Sequence, residues 1–337
     1  MAYIPSTTRY SHGMKYSYCG KSGLLLPKVS LGLWHNFGHT DDFENSKSIV
    51  EYAFDQGITH FDLANNYGSP AGSAEENFGK IFRKSLSAHR DEIIVSTKAG
   101  HLMWDGPYGD GSSRKNLISS LNQSLKRLQL DYVDIFYSHR YDGVTPIEET
   151  MQALIDIVKS GKALYAGISK YPPELAEKCY RILESQGVRC LIYQDRYSML
   201  ARDVENGALE TADRNGIGFC AFSPLAQGLL TDRYLEGIPS DSRVAKNGFL
   251  KKEQVTPERV AIIRELNDLA LQRGETLAQM ALSWLLNDTR VTSVLVGASS
   301  VEQLKNNLEA LNAPVFEPEV LEKIREIVSR FPATMPK

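Results

Sequence analysis

The sequence predicts an α/β fold, a (β/α)8 barrel that forms one domain over residues 1–337. Short apolar, β-branched runs alternate with longer amphipathic segments, which is typical of parallel strands joined by helical crossovers. About eight such units occur, the number that closes a barrel. The main alternative is a doubly wound sheet, but no GxGxxG motif follows the first apolar run.

Each predicted strand is short and apolar, as expected of a strand that is buried on both faces. In chain order, the predicted strands span residues 29–33, 58–62, 93–97, 133–137, 163–168, 191–193, 218–222 and 293–296.

Several predicted helices between these strands have recognisable starts. Capping-box spacing occurs at residues 73–76 and 300–303, and a Thr-Pro pair opens a helix at Thr145 and at Thr256. The helix predicted over Arg114–Leu128 places its leucines on one face.

Two segments lie outside this alternation. Residues 14–29 contain two glycines between strand-like runs, which predicts a hairpin at the bottom of the barrel. Residues 233–254 form a long polar loop after the seventh strand, and long loops in compact domains are usually functional.

Composition excludes several classes of protein. The net charge of −3 argues against a nucleic-acid partner, and no apolar stretch has the length of a membrane span. The N-terminus lacks the apolar core of a signal peptide, and the four cysteines are not spaced as metal ligands. We therefore expect a cytoplasmic protein with no membrane partner and no metal.

The residues that follow the predicted strands point to proton chemistry. Active-site residues of such barrels lie at the carboxyl ends of the strands, where this chain places Asp62, Tyr67, Lys98 and His139. The Lys98 ammonium is expected to lower the pKa of Tyr67, and Asp62 to hold Lys98 in place. His139 could donate a hydrogen bond to a substrate oxygen. This group suits proton delivery to a carbonyl oxygen.

Three motifs carry a family resemblance. Residues 57–68 (GITHFDLANNYG) resemble the G-x-x-x-[FI]-D-[TS]-A-x-x-Y-G motif of the aldo-keto reductases. Residues 96–98 resemble the lysine strand of that family, and residues 131–139 its histidine strand. The resemblance covers residues 16–311. It implies Asp62, Tyr67, Lys98 and His139 as the catalytic tetrad and NADPH as the cofactor.

The same resemblance implies a nicotinamide-nucleotide site in the second half of the chain. Ser169 and Gln194 correspond to the carboxamide pair and Tyr197 to a ring stacked on the nicotinamide, although Lys170 stands where Asn or Glu is usual. The remaining implied cofactor residues belong to the pyrophosphate loop, to the adenosine side and to the first strand end: Ser223, Leu225, Gln227, Gly228, Arg233, Arg243, Gly297, Ser299, Gln303, Asn307 and Trp34.

Further motifs are similar to two branches of the family. Residues 18–23, 32–38, 137–140 and 226–230 resemble bacterial reductases of L-glyceraldehyde 3-phosphate and methylglyoxal, which implies a small aldehyde as substrate. Trp34 and Trp104 are then candidates for the pocket wall, with packing at the barrel rim as the alternative. Arg140 is a candidate for a substrate phosphate, with a solvated loop position as the alternative.

Residues 223–228 and 237–243 resemble the potassium-channel β-subunits, which implies a homo-oligomer. Two other functions remain open. One is an NADPH-binding regulatory subunit of the channel type. The other is a Schiff-base aldolase with Lys98 as the nucleophile.

Overall fold

The protein is described by a computed structural model that covers residues 3–240, 242, 244–245 and 250–331. The strands of the described chain are β1 (Tyr16–Tyr18), β2 (Leu25–Pro27), β3 (Val29–Gly32), β4 (His60–Asp62), β5 (Ile94–Ala99), β6 (Val133–Ser138), β7 (Ala163–Ser169), β8 (Cys190–Arg196), β9 (Gly218–Phe222) and β10 (Val291–Val296). Eight parallel strands close into a barrel in the order β10-β3-β4-β5-β6-β7-β8-β9, and this confirms the predicted fold.

Helices surround the barrel and bury their apolar faces against it. Their bounds are α1 (Phe43–Asp55), α2 (Ser73–Ile81), α3 (Arg114–Leu128), α4 (Ile147–Lys159), α5 (Pro173–Ser185), α6 (Ala208–Arg214), α7 (Pro257–Gln272), α8 (Leu277–Asn287), α9 (Val301–Leu308) and α10 (Pro318–Ser329).

The predicted hairpin exists and lies at the amino-terminal end of the barrel. Strands β1 and β2 pair antiparallel, and the Lys21 amide between them donates to the Gly216 carbonyl just before β9, at 2.8 Å. Gly20 has a φ of +57°, and a Cβ at this position would lie 2.2 Å from the Gly216 oxygen. Only glycine fits there, because both the backbone conformation and the close approach exclude a side chain.

The helix starts agree with the sequence in part. The Thr256 and Ser300 side chains accept hydrogen bonds from backbone amides in the first turns of α7 and α9, as predicted. Ser73 is not a cap, because it lies inside α2 and the carbonyl of Tyr67 already accepts from the amides of Gly72 and Ala74. The start of α2 is therefore held by the loop that carries Tyr67.

The start of α4 also differs from the prediction. Pro146 occupies the cap position, and the Thr145 hydroxyl donates to Asp142 at 2.7 Å instead of capping the helix. The helix consequently begins one residue later than the Thr-Pro pattern predicts.

The described residues of the long segment after β9 pack against the surrounding helices. Leu229, Leu230, Tyr234 and Leu250 are buried in an apolar cluster with α7, α8 and α10. This packing anchors both ends of the segment beside the carboxyl end of the barrel.

Candidate active site

The four candidate catalytic residues lie at the carboxyl ends of neighbouring strands. Asp62 ends β4, Lys98 lies near the end of β5, and His139 directly follows β6. Lys98 Nζ donates to Asp62 Oδ2 at 2.5 Å and to the Leu63 carbonyl at 2.7 Å. Both charged side chains are buried, so the ion pair is shielded from water.

Lys98 is held against two aromatic rings. Its Nζ lies 5.1 Å from the centre of the Tyr67 ring and 5.4 Å from that of Tyr137. Gly167 makes the position of Tyr137 possible, because a Cβ there would lie 2.6 Å from the Tyr137 ring. The ammonium can therefore move little, and it faces the phenol of Tyr67.

Burial and charge oppose each other at this pair. Burial acts to lower the pKa of Lys98, but Asp62 and Tyr67 outweigh it and the pKa is raised. Burial raises the pKa of Tyr67, and Lys98 only partly offsets this rise. The net shift at Tyr67 is opposite to the expected decrease, because desolvation exceeds the effect of the ammonium.

His139 is a neutral imidazole at physiological pH. Burial lowers its pKa well below the usual value, and the charges of Lys98, Lys170 and Arg140 act in the same direction. Its ring lies 5.9 Å from the Tyr67 ring, and its buried Nδ1 has no hydrogen-bond partner among the described residues. A neutral imidazole beside the phenol keeps one donor for a substrate oxygen.

Residues from the second half of the chain close the other side of the barrel mouth. Ser169 and Gln194 are paired in the register of β7 and β8, and Gln194 Nε2 donates to Asp62 Oδ1 at 3.2 Å. The structure thus brings the predicted carboxamide pair directly beside the tetrad.

Three of the predicted cofactor residues have a buried polar atom that lacks a partner within the described part of the chain. These atoms are Ser169 Oγ at the end of β7, Gln227 Oε1 in the loop after β9 and Asn307 Nδ2 in α9. Buried polar atoms are nearly always hydrogen-bonded in native proteins, so such atoms indicate a polar ligand. The residues present therefore fit a dinucleotide along this edge.

The loop after β9 has the backbone of an anion cradle. Ser223, Ala226, Gln227 and Gly228 all have positive φ angles between +47° and +96°. Left-handed residues in succession turn backbone amides toward one side, where they can bind an anion. Leu225 lies in this loop and is partly buried.

The adenosine-side residues surround the start of α9. Gln303 Oε1 accepts from the Ser299 amide at 2.7 Å, and Asn45 Nδ2 donates to the Ser299 carbonyl. Gly297 and Ser299 are exposed there. Arg233 lies in a short 3-10 turn after the β9 loop, whereas Arg243 is outside the described residues.

Tyr197 is not brought to the barrel mouth. It is buried, its ring contacts those of Phe219 and Trp284, and its hydroxyl donates to Glu205 at 2.8 Å. The structure does not support the predicted stacking position, because Tyr197 follows the end of β8 and is held against Trp284 of α8. Phe222 at the end of β9 is the aromatic residue that packs on the barrel interior.

The candidate substrate residues lie in the loops above the tetrad. The ring of Trp34 is 6.0 Å from that of Tyr67, and Trp104 is partly buried in the loop after β5. Arg140 is already engaged, because it donates to the Gly100 carbonyl at 2.9 Å and to Asp110 at 2.8 Å. This pairing makes Arg140 a support of the loop.

Lys170 is a cation of the site that sequence reasoning did not select. It follows β7 with a φ of +59°, is exposed, and places its Nζ 5.2 Å from the centre of the Phe222 ring. Burial lowers the pKa of Lys170, and the charge of Asp195 opposes this effect. Its departure from the family pattern was the signal that could have identified it.

Neither a metal centre nor a membrane span is found in the described ranges. No three of their histidine, cysteine, aspartate or glutamate residues are grouped so that they could hold a metal ion. Within the same ranges, each helix is too short or too polar to cross a membrane.

The barrel, the buried Lys–Asp pair beside a tyrosine and the unpaired polar edge define a carbonyl oxidoreductase of the nucleotide-dependent type. The model of the aldo/keto reductase family matches residues 28–329, and the chain belongs to that family. Members of this family generally use NAD(P)H.

Several curated proteins are similar to this chain over nearly its whole length. L-glyceraldehyde 3-phosphate reductase of Escherichia coli O157:H7 is 55% identical over 98% of this chain and 96% of its own, and that of strain K12 is 54% identical over the same shares. A probable voltage-gated potassium channel subunit beta of Arabidopsis thaliana is 36% identical over 95% of this chain and 98% of its own.

Proposed function

We propose that this protein reduces small aldehydes to alcohols with NADPH and that Tyr67 donates the proton. The observation that carries the proposal is the position of the Tyr67 ring between Lys98 and His139, at 5.1 and 5.9 Å. A carbonyl oxygen beside this phenol would receive its proton, and the Lys98 ammonium would then stabilise the phenolate.

The nicotinamide cofactor, when bound, supplies the hydride. Ser169 and Gln194 would orient its carboxamide, and Phe222 would offer an aromatic surface in place of Tyr197. The pyrophosphate would lie in the loop that contains Ser223, Leu225, Gln227 and Gly228, with Arg233 beside it. The adenosine side would be held by Gly297, Ser299, Gln303, Asn307 and Arg243. The unpaired Ser169, Gln227 and Asn307 atoms support this assignment, because a bound nucleotide would satisfy them.

A phosphorylated three-carbon aldehyde is the proposed preferred substrate, with methylglyoxal as a second. The similarity to the two Escherichia coli reductases supports this choice. Lys170 supports it independently, since its positive charge acts on His139 and is opposite to that of a substrate phosphate. Arg140 would contribute to the same potential while it remains bound to Asp110.

The test follows NADPH oxidation at its near-ultraviolet absorbance with L-glyceraldehyde 3-phosphate and with methylglyoxal, and NADH in parallel. We expect turnover with NADPH and a loss of roughly two orders of magnitude or more in Tyr67→Phe. The matched control is Tyr18→Phe, because Tyr18 is exposed on the hairpin at the opposite end of the barrel.

Other outcomes would point to the alternatives. Tight NADPH binding without turnover of either aldehyde would favour a regulatory subunit, the function that the similarity to the channel subunit suggests. Borohydride trapping of substrate on Lys98 would favour the aldolase. Full activity in Tyr67→Phe would remove the proton role from Tyr67.

A further inference from the structure

A hydrogen-bonded chain runs through the barrel interior below the candidate tetrad. Asp62 Oδ1 accepts from the Ser96 hydroxyl at 2.6 Å, and Ser96 Oγ lies 2.9 Å from His60 Nε2. On the other side of the ring, His60 Nδ1 lies 2.9 Å from Ser30 Oγ. Ser30 is 2.6 Å from Ser293 Oγ, which donates to the Pro27 carbonyl at 2.6 Å.

All the side chains that form this hydrogen-bonded chain are buried. Ser30, His60, Ser96 and Ser293 are all 0% exposed, and Asp62 is 1% exposed. The nearest charges are those of Asp62 and Lys98, which act on His60 in opposite directions. A mispaired contact in such surroundings is costly, because water cannot replace the missing bond.

The chain needs one hydrogen more than neutral groups supply. It has five contacts between Pro27 and Asp62, and both end groups only accept when the carboxyl group is ionised. Three serine hydroxyls and a neutral imidazole provide four hydrogens. All five contacts become hydrogen bonds only when one further proton lies on His60 or on Asp62.

We propose that His60 is a positioning residue for Asp62 and that the His60–Ser96–Asp62 unit shares this extra proton. In one arrangement, His60 Nε2–H donates to Ser96, which donates to the Asp62 carboxylate. In the other, the Nε2 proton has moved to Ser96 Oγ while the Ser96 proton has moved to Asp62 Oδ1, so that Asp62 donates to Ser96 and Ser96 donates to the bare His60 Nε2. No proton enters or leaves, and the His60 Nδ1–H bond to Ser30 is the same in both.

Burial favours the second arrangement and the ion pair with Lys98 favours the first. Burial lowers the pKa of His60 to about 4. The charge of Lys98 also acts to lower this pKa, whereas the charge of Asp62 acts to raise it. Lys98 Nζ, at 2.5 Å from Asp62 Oδ2, stabilises the carboxylate instead. The two effects oppose each other across the Ser96 hydroxyl, and the charge beside Lys98 can therefore adjust when Tyr67 changes its own. This consequence for turnover rests on the proposed reductase function.

The experiment is nitrogen-15 spectroscopy of the histidine rings of the full-length protein at pH 7. Among its seven histidines, His60 is identified as the signal that is lost in His60→Gln or, if that variant does not fold, as the signal altered in both serine variants below. We expect a protonated Nδ1 and an Nε2 shift between the protonated and bare values. A bare Nδ1 with a fully protonated Nε2 in the wild-type protein would overturn the proposal.

Two serine variants test the count of hydrogens in this hydrogen-bonded chain. In Ser30→Ala three contacts remain for three neutral donors, which requires the Nε2–H tautomer with a bare Nδ1. In Ser96→Ala the three remaining contacts require the opposite, the Nδ1–H tautomer. The same tautomer in both variants would contradict the shared-proton chain.

Turnover provides the functional readout. We expect Ser96→Ala to lower kcat about tenfold, the effect of losing one hydrogen bond to a charged group, with NADPH affinity unchanged. Ser120→Ala removes a buried hydroxyl from α3, outside the barrel, and is the control. An unchanged kcat in Ser96→Ala would refute the positioning role. Absence of turnover in the wild-type protein would refute the proposed function. The spectroscopic test would still show whether the hydrogen-bonded chain shares the extra proton.

Discussion

Removing the charge of Asp62 is the perturbation whose cost the structure specifies best. Asp62→Asn keeps the shape of the side chain, but it leaves the fully buried Lys98 without its counter-charge. Breaking one partner of a buried pair typically costs about 3–5 kcal/mol. Lys98 avoids part of that cost by releasing its proton on folding, because its burial favours the neutral amine.

The proton release determines the size and the sign of the change in stability with pH. An unfolded lysine has a pKa of about 10.4, so its deprotonation at pH 7 costs about 4.6 kcal/mol and at pH 9 about 1.9 kcal/mol. At each pH where release costs less than the buried charge, the unfolded form of Asp62→Asn binds one more proton than its folded form, and the free energy of unfolding of this variant then rises by up to about 1.4 kcal/mol per pH unit. In the wild-type protein the native pKa of Lys98 is raised, so its contribution is fully present below the unfolded pKa and is lost only at higher pH.

The assay is urea unfolding of both proteins at several pH values between 7 and 9, monitored by tryptophan fluorescence. The dependence of the free energy of unfolding on pH is then compared between the two proteins. Asp134→Asn is the matched control, because Asp134 is also buried but pairs with Arg90, at 2.9 Å. Arginine keeps its charge at these pH values, so the deficit of the control should not change. A deficit of Asp62→Asn that stays constant from pH 7 to pH 9 would refute the reasoning.

Three further predictions concern specificity, pH dependence and packing. Lys170→Met should lower kcat/KM for the phosphorylated aldehyde by roughly tenfold or more and leave methylglyoxal nearly unchanged, since one charge-assisted contact is lost; an equal loss for both would remove Lys170 from phosphate recognition. Because the pKa of His139 lies well below its usual value, kcat should show no inflection near pH 6.5, and one that disappears in His139→Asn would contradict this. Gly167→Ala should lower the free energy of unfolding by about 1–3 kcal/mol through its clash with Tyr137, whereas Gly23→Ala, with open space around it, should not.

The barrel and the positions of the four candidate catalytic residues follow from the sequence for a common reason. Each of Asp62, Lys98 and His139 lies at or next to the carboxyl end of its own apolar strand, and parallel strands in a barrel bring these ends to one rim. Tyr67 lies five residues beyond β4, close enough that the loop has few alternative paths. The assembly into a homo-oligomer, the cytoplasmic location and the single-domain organisation stay predictions.

Tyr197 and Phe222 show where sequence reasoning failed. The side-chain alternation of β9 directs Cys220 and Phe222 to the barrel interior, and this period of two was visible in the sequence. The position of Tyr197 depends on the turn after Arg196 and on Trp284 of α8, which lies far away in the chain. Packing against a distant helix leaves no local signal.

The raised pKa of Tyr67 is compatible with its role as an acid once the two opposing effects are assigned to different moments of the reaction. Burial disfavours the phenolate, so Tyr67 keeps its proton while no acceptor is present. Hydride transfer would create an alkoxide, which binds a proton about as strongly as hydroxide does. A phenol is a much stronger acid than an alcohol, so the alkoxide is an acceptor to which Tyr67 can pass its proton.

The same burial that raises the pKa strengthens the attraction between the new phenolate and Lys98, because the dielectric screening is weak. The ammonium thus contributes most after the proton has left, and its charge depends on Asp62 and on the His60 chain below it. A site of this design stabilises the charge that develops in the transition state more than it stabilises the resting phenol.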